Sequence, residues 1–221
     1  LISMKSICQV KQSNADWANL NRYADENQKL KPLTKDENRI VFMGNSITEM
    51  WKDVDNSFFT NKSYINRGIS GQTTSQMLVR FRPDVIALKP LAVVILAGIN
   101  DIAENTGPYD EGFTLGNLIS MVELAKANNI KVILASVLPA SDIYWRPTVE
   151  NTAEKVISLN QSIKMMAEQY GLIYLDYHTV LKNKENGLDK EMAEDGVHPT
   201  VKCYKIMATL AEEAIRKVMN P

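Results

Sequence analysis

Three short stretches of this chain are apolar at nearly every position: residues 39–43 (RIVFM), 91–97 (LAVVILA) and 131–136 (KVILAS). A strand with one wet face alternates apolar and polar residues, so an unbroken apolar run of this length predicts a strand buried on both faces. Two further short runs, 63–66 (SYIN) and 172–176 (LIYLD), bring the set to five. Between them the apolar residues recur at helical spacing over 74–81, 113–128 and 152–170, and a final stretch of the same kind, 201–219, closes the chain. Asn128 and Asn129 are plausible stops for the second of these helices, and Gly171 for the third. Strand and helix alternating in this way predict βα units stacked into an α/β fold, with a five-stranded parallel sheet covered by helices.

A chain of 221 residues is long enough to bury such a core without disulfides, metals or partners. The expected division is a polar N-terminal arm at 1–38 and one folded domain at 39–221. Lys+Arg (25) and Asp+Glu (26) nearly cancel, so no long-range field draws the protein to nucleic acid or to an anionic membrane. Cys8 and Cys203 stand near opposite ends, without a CxxC or a Cys/His cluster, which speaks against a metal site. The longest apolar runs reach about half of the ~20 residues that a membrane-spanning helix needs. Residues 1–9 (LISMKSICQ) read either as the tail of a secretory signal peptide or as an arbitrary chain start. The first reading predicts a secreted or periplasmic protein, the second a cytoplasmic one.

In sheets of this kind ligands bind beyond the carboxyl ends of the strands, so the residues that follow each apolar run carry the functional information. The first run ends in Gly44-Asn45-Ser46, the second passes into Asn66-Arg67-Gly68-Ile69-Ser70-Gly71, and the third ends in Gly98-Ile99-Asn100-Asp101. Each brings a glycine and a hydrogen-bonding group to one edge. Ser46 offers a hydroxyl at a helix start, where backbone amides point outward unpaired. Gly71 offers an amide in a turn that a bare backbone lets approach a ligand. Asn100 offers an uncharged side-chain donor.

Taken singly, each residue has a plainer explanation. Ser46 followed by Glu49 fits a helix capping box, Gly71 fits a turn, and Asn100 fits a turn or cap. Their coincidence at successive strand ends favours chemistry.

A base with its orienting carboxylate stands far downstream. The string DGVHP puts Asp195 three residues before His198, within one loop ahead of the last helix, with Pro199 suited to the helix start. Ser46, His198 and Asp195 thus supply a nucleophile, a base and the group that fixes the tautomer of that base. A histidine base works only while neutral, so activity should fall on the acid side. The only other histidine, His178, follows Asp176 and is expected at the surface or one step removed from the chemistry. Asp101 and Glu104 are expected to be loop solvation or substrate contacts, too few for a hard-cation site. Residues 140–150 contain Tyr144, Trp145, Arg146 and Pro147 and read as a loop able to stack on a sugar ring or pair with an acid.

Four blocks in order, GNSIT, NRGISGQT, GIND and DGVHP, make the chain resemble the SGNH hydrolases, also called GDSL-type esterases or lipases. The resemblance runs from about Arg39 to the last helix. It implies a flavodoxin-like three-layer α/β/α sandwich, Ser46 as nucleophile, His198 as general base and Asp195 as its orienter. It also implies an oxyanion hole built from the amides of Ser46 and Gly71 with the side chain of Asn100. No cofactor and no metal are implied. The family's first block usually carries Asp where this chain has Asn45. The G-x-S-x-G elbow of the larger α/β-hydrolases is absent, since Thr48 holds its last position. Similar family members remove acetyl groups from carbohydrates, cleave short acyl esters, or act on lysophospholipids. With little here resembling a long apolar lid, the expectation is a serine esterase for short acyl groups, acetyl above all, on a small-molecule or carbohydrate ester. The alternatives are a lysophospholipase or lipase-like acylhydrolase, and a non-catalytic carbohydrate-binding domain. A nucleotide binder is disfavoured, because neither GxxxxGK[ST] nor GxGxxG occurs. Oligomeric state is not readable from the sequence.

Overall fold

A computed structural model of the protein describes residues 16–34 and 37–220. The proposed leader at 1–9, and Cys8 with it, lie outside them. In chain order the elements are α1 (Ala24–Lys29), β1 (Ile40–Gly44), α2 (Ser46–Val54), β2 (Tyr64–Gly68), α3 (Thr74–Asp84), β3 (Ala92–Leu96), α4 (Ile99–Ile102), α5 (Glu111–Ala127), β4 (Lys131–Ala135), α6 (Thr152–Tyr170), β5 (Ile173–Leu175), α7 (Tyr177–Leu181) and α8 (Val201–Met219). The five strands form one parallel sheet in the order β2-β1-β3-β4-β5, with helices on both faces, as the resemblance implies. β1 and β3 are buried at every position, which is why their sequences do not alternate, while the edge strands β2 and β5 are only partly covered. Helices α6 and α8 fall on the expected residues, and α3 runs on to Asp84 with Pro83 in its last turn.

Register places the site. Gly44 pairs with Gly68 on one side and Leu96 on the other, so β1, β2 and β3 end level with one another. The chain leaves β1 for β2 and then crosses back to β3, making β1 and β3 the switch point where this order of strands opens a crevice. Gly68 is what lets α2 close over that crevice. A Cβ there would lie 2.1 Å from the Glu49 amide nitrogen and 2.7 Å from the Asn45 carbonyl.

Two helices far apart in sequence are locked together by aromatic packing. Trp51 of α2 stacks on Tyr204 of α8 at 5.2 Å and on Phe58 at 4.6 Å, with Phe42 of β1 edge-on to both Trp51 and Phe58. The Tyr204 hydroxyl donates to the Ile47 carbonyl at 2.8 Å. Burial of Trp51 and Tyr204 favours this arrangement by several kcal/mol, with ~1 kcal/mol more from each well-placed ring pair. The first turn of α2 is thereby fixed relative to the start of α8.

The polar arm folds back on the body. Tyr23 and Ala18 are buried, the Tyr23 hydroxyl donates to the Gly68 carbonyl, and its ring covers the Arg67 guanidinium at 4.5 Å. Asn27 Oδ1 accepts from Arg67 Nη2 at 2.7 Å and its Nδ2 donates to Asp84 Oδ1 at 2.9 Å.

Candidate active site

Asn45, not Ser46, caps α2. Its Oδ1 accepts from the Ile47 amide at 3.0 Å, and its carbonyl accepts from the amides of Thr48 and Glu49. Ser46 is therefore the first helical residue, and among the described residues its own amide has no hydrogen-bond partner. Glu49 does not close a capping box either. It takes the amide and hydroxyl of Ser70 at 2.7 and 2.6 Å, tying α2 to the loop after β2.

Residues 152 positions apart meet at the Ser46 hydroxyl, which lies 2.9 Å from His198 Nε2. His198 Nδ1 is 2.7 Å from Asp195 Oδ2, while Asp195 Oδ1 accepts the amides of Val197 and His198 at 2.9 and 2.7 Å. Gly196, at φ +81°, makes the turn that folds the carboxylate back onto its own loop. Burial pushes the Asp195 carboxyl up, but the hydrogen bonds from His198 and Val197 outweigh it and hold the group below its ordinary range. A charged carboxylate facing Nδ1–H leaves Nε2 bare to accept the serine proton.

The expected oxyanion donors line the same cleft as that hydroxyl group. Gly71 has φ +77°, a conformation that disfavours any side chain, and among the described residues its amide is unpaired. Asn100, 2% exposed, donates one Nδ2 hydrogen to the Gln72 carbonyl at 3.0 Å, leaving the second for another acceptor. Asn105 supports both loops, since its Nδ2 donates to the Gly71 carbonyl at 3.0 Å and its amide to the Asn100 carbonyl at 3.1 Å. Ser46, Gly71, Asn100, Asp195 and His198 all line one open cleft of about 660 Å³. Its far wall is formed by Tyr144, Trp145 and Arg146, with Met50 as the apolar contribution from α2.

Two expectations are corrected. His178 is not at the surface: it is 7% exposed in α7, where its amide donates to Ser136 Oγ at 2.9 Å and, among the described residues, its Nε2 has no partner. Burial, with Lys182 adding to it, lowers the basicity of that imidazole. Asp101 is not a loop solvation or substrate contact. It is buried in α4, and its carboxylate accepts the Thr74 amide at 3.1 Å and the Thr74 hydroxyl at 2.5 Å, so it caps α3 from outside. Burial pushes its carboxyl up to about 6 even against those bonds. Among the described residues no group of three or more His, Cys, Asp or Glu side chains is placed to hold a metal, and no helix is long and apolar enough to cross a membrane.

Two features escaped the sequence reading. The Trp145 indole stacks on the His198 imidazole, centroids 5.9 Å apart and planes at 30°, with Tyr144 edge-on at 6.5 Å. Beside the loops that carry Gly71 and Asn100, Arg80 and Gln72 form a buried polar network. A helical arginine at a position that the pattern assigns to the core is the one signal that pointed to it.

A model of the GDSL-like lipase/acylhydrolase family matches residues 42–206. The crystal structure of a GDSL-like lipase from Bacteroides thetaiotaomicron superposes with a TM-score of 0.89 at 49% identity, covering 91% of this chain and 99% of that one. An acetylxylan esterase of Xylanibacter ruminicola is 26% identical over 151 residues, which is 60% of this chain but 30% of that protein, so the chain spans under a third of this relative's length. An acetylxylan esterase of Geobacillus stearothermophilus is 26% identical over 154 residues, 65% of this chain and 68% of that one.

Proposed function

The chain belongs to the GDSL-like lipase/acylhydrolase family, and from that premise we propose that it is a serine esterase that removes short acyl groups, acetyl above all, from carbohydrate esters. The observation that carries the reading is the line Ser46 Oγ to His198 Nε2 to Asp195, at 2.9 and 2.7 Å. The activity is assigned to residues 39–221, with the preceding segment as an arm.

In this mechanism Ser46 attacks the ester carbonyl while His198 Nε2 takes its proton and Asp195 stabilises the resulting imidazolium. The carbonyl oxygen becomes an oxyanion facing the amides of Ser46 and Gly71 and the side chain of Asn100, donors that are worth most when they are already in place. Collapse of this intermediate expels the alcohol, which takes the proton from His198. A water molecule, deprotonated by the same imidazole, then releases the acid and restores Ser46. Nucleophile, base and donors are all the protein's own groups, so the scheme requires no cofactor.

The choice of substrate is supported by the relatives named as acetylxylan esterases and by the cleft itself. Its wall is an exposed Tyr144, the Trp145 ring and the Arg146 guanidinium, surfaces suited to sugar faces and hydroxyls rather than to a long alkyl chain. The test is a chain-length series of 4-nitrophenyl esters beside acetylated xylo-oligosaccharides and a lysophospholipid. Highest kcat/KM on acetyl esters is expected, with Ser46→Ala inactive. A maximum at long chains would make the protein a lipase-like acylhydrolase. Wild-type turnover by Ser46→Ala, or failure of a covalent serine probe to label Ser46, would overturn the catalytic reading.

A further inference from the structure

Gly71 and Asn100 lie on different strand-end loops, and one buried residue touches both. Gln72, 3% exposed, follows Gly71 in the chain, and its carbonyl accepts the Asn100 side chain. Its own side chain is held at both ends: Oε1 accepts from Arg80 Nε at 2.5 Å, and Nε2 donates to the Ala18 carbonyl at 2.7 Å. Arg80 is wholly buried. Its Nη2 donates to the carbonyls of Gly44 at 3.0 Å and Arg67 at 2.9 Å, and its Nη1 faces Asp84 at 2.9 Å. Since Gly44 stands two residues before Ser46, a single guanidinium joins the strand end of the nucleophile, the Gly71 loop and, through Gln72, Asn100.

For stability alone a buried ion pair is often no better than apolar side chains of the same volume. What the planar fork of an arginine adds is fixed geometry among several acceptors at once. We infer that Gln72, gripped by Arg80, is a positioning residue that sets the relation between the Gly71 and Asn100 donors, an inference that rests on reading those two as the oxyanion hole. The arm enters the same network, because the carbonyl that holds Gln72 Nε2 belongs to Ala18, upstream of the residues matched by the family model.

The test is Gln72→Met, which removes both side-chain bonds at similar volume. Misplacing a catalytic donor by on the order of 1 Å costs on the order of a hundredfold. The expected result on an acetyl ester is a kcat lower by roughly ten- to a hundredfold at unchanged KM, the pattern of an interaction made in the transition state. Gln72→Glu keeps an acceptor for Arg80 Nε and should recover part of that loss. A merely structural residue would lower Tm and leave kcat per active serine, counted by titration with a fluorophosphonate, at the wild-type level. That outcome overturns the inference, as does a Gln72→Glu kcat no better than that of Gln72→Met. Asn100→Ala is measured alongside. If it keeps wild-type kcat, the oxyanion reading itself has failed, whereas loss in Asn100→Ala without loss in Gln72→Met removes the positioning role only. Should Gln72→Met not fold, Arg80→Lys answers the same question, since it keeps a cation opposite Asp84 but cannot span Gln72, Gly44 and Arg67 together. An unaltered kcat in that variant also overturns the inference.

Discussion

The indole of Trp145 lies on the imidazole of His198, and its Nε1 points to Asn105 Oδ1 at 3.4 Å. The imidazole is thus held on two sides, by the Asp195 carboxylate at Nδ1 and by an aromatic face. An aromatic face also favours the imidazolium that forms during proton transfer, by roughly 0.5–2 kcal/mol. Trp145→Ala should therefore lower kcat/KM by about 2- to 30-fold, the range those energies convert to. Trp145→Phe keeps the face and should lose less. Steady-state kinetics on an acetyl ester would show it, and equal losses in the two variants would refute a role for stacking.

Asp195→Asn tests the tautomer argument. An asparagine amide would donate to Nδ1, leaving the proton on Nε2, the nitrogen that must accept from Ser46. A loss of kcat on the order of 10⁴-fold is expected, as for other triads of this kind. The carboxyl is held below its ordinary range, so its ionised form favours the fold. That contribution is present above the unfolded pKa and is lost as pH falls through the lower folded value. The stability of Asp195→Asn should accordingly fall less on acidification than that of the wild type, a comparison available from denaturant unfolding followed by circular dichroism at several pH values.

Asn45→Asp restores the residue that the family pattern usually has. The acceptor for the Ile47 amide survives the change, and Asn and Asp are comparable caps. A stability shift within about 1 kcal/mol is expected by thermal denaturation. A loss of several kcal/mol would mean that the uncharged amide does more than cap α2.

How much of this was legible in the sequence follows from burial. β1, β3 and β4 were readable because strands covered on both faces must be apolar throughout, and their ends then located Ser46 and Asn100. The contact between Asp195 and His198 was readable because the two residues share one loop. The Trp145 stack was not, since 136–151 carries no periodicity and its path is set by contacts with other loops. His178 and Asp101 were misplaced for one reason. Each lies in a short helix, five residues in α7 and four in α4, too brief to show a repeat, and each is buried by neighbours distant in sequence. The arm looked merely polar because its anchors, Tyr23 and Asn27, act through hydrogen bonds to partners that no local pattern reveals.

Asp101 yields the sharpest pH prediction. Its carboxyl is raised from 3.8 to about 6, chiefly by burial. Below an unfolded value near 3.8 the group is neutral in both states and weighs nothing against folding. As pH rises toward 6 the unfolded chain ionises first, the folded state retains the proton, and stability falls. Above about 6 the group is charged in both states and the full cost of burying the charge stands, on the order of 3 kcal/mol. Asp101→Asn does not titrate. It also offers Thr74 one acceptor fewer than the ionised carboxylate, a difference that the raised value of about 6 already includes. The difference in Tm, variant minus wild type, should therefore climb by several degrees between pH 4 and about 6.5 and then level off. Thermal denaturation of both proteins across that range decides the matter. A pH-independent difference would mean that the Thr74 amide and hydroxyl keep Asp101 ionised throughout, making it an ordinary charged cap for α3.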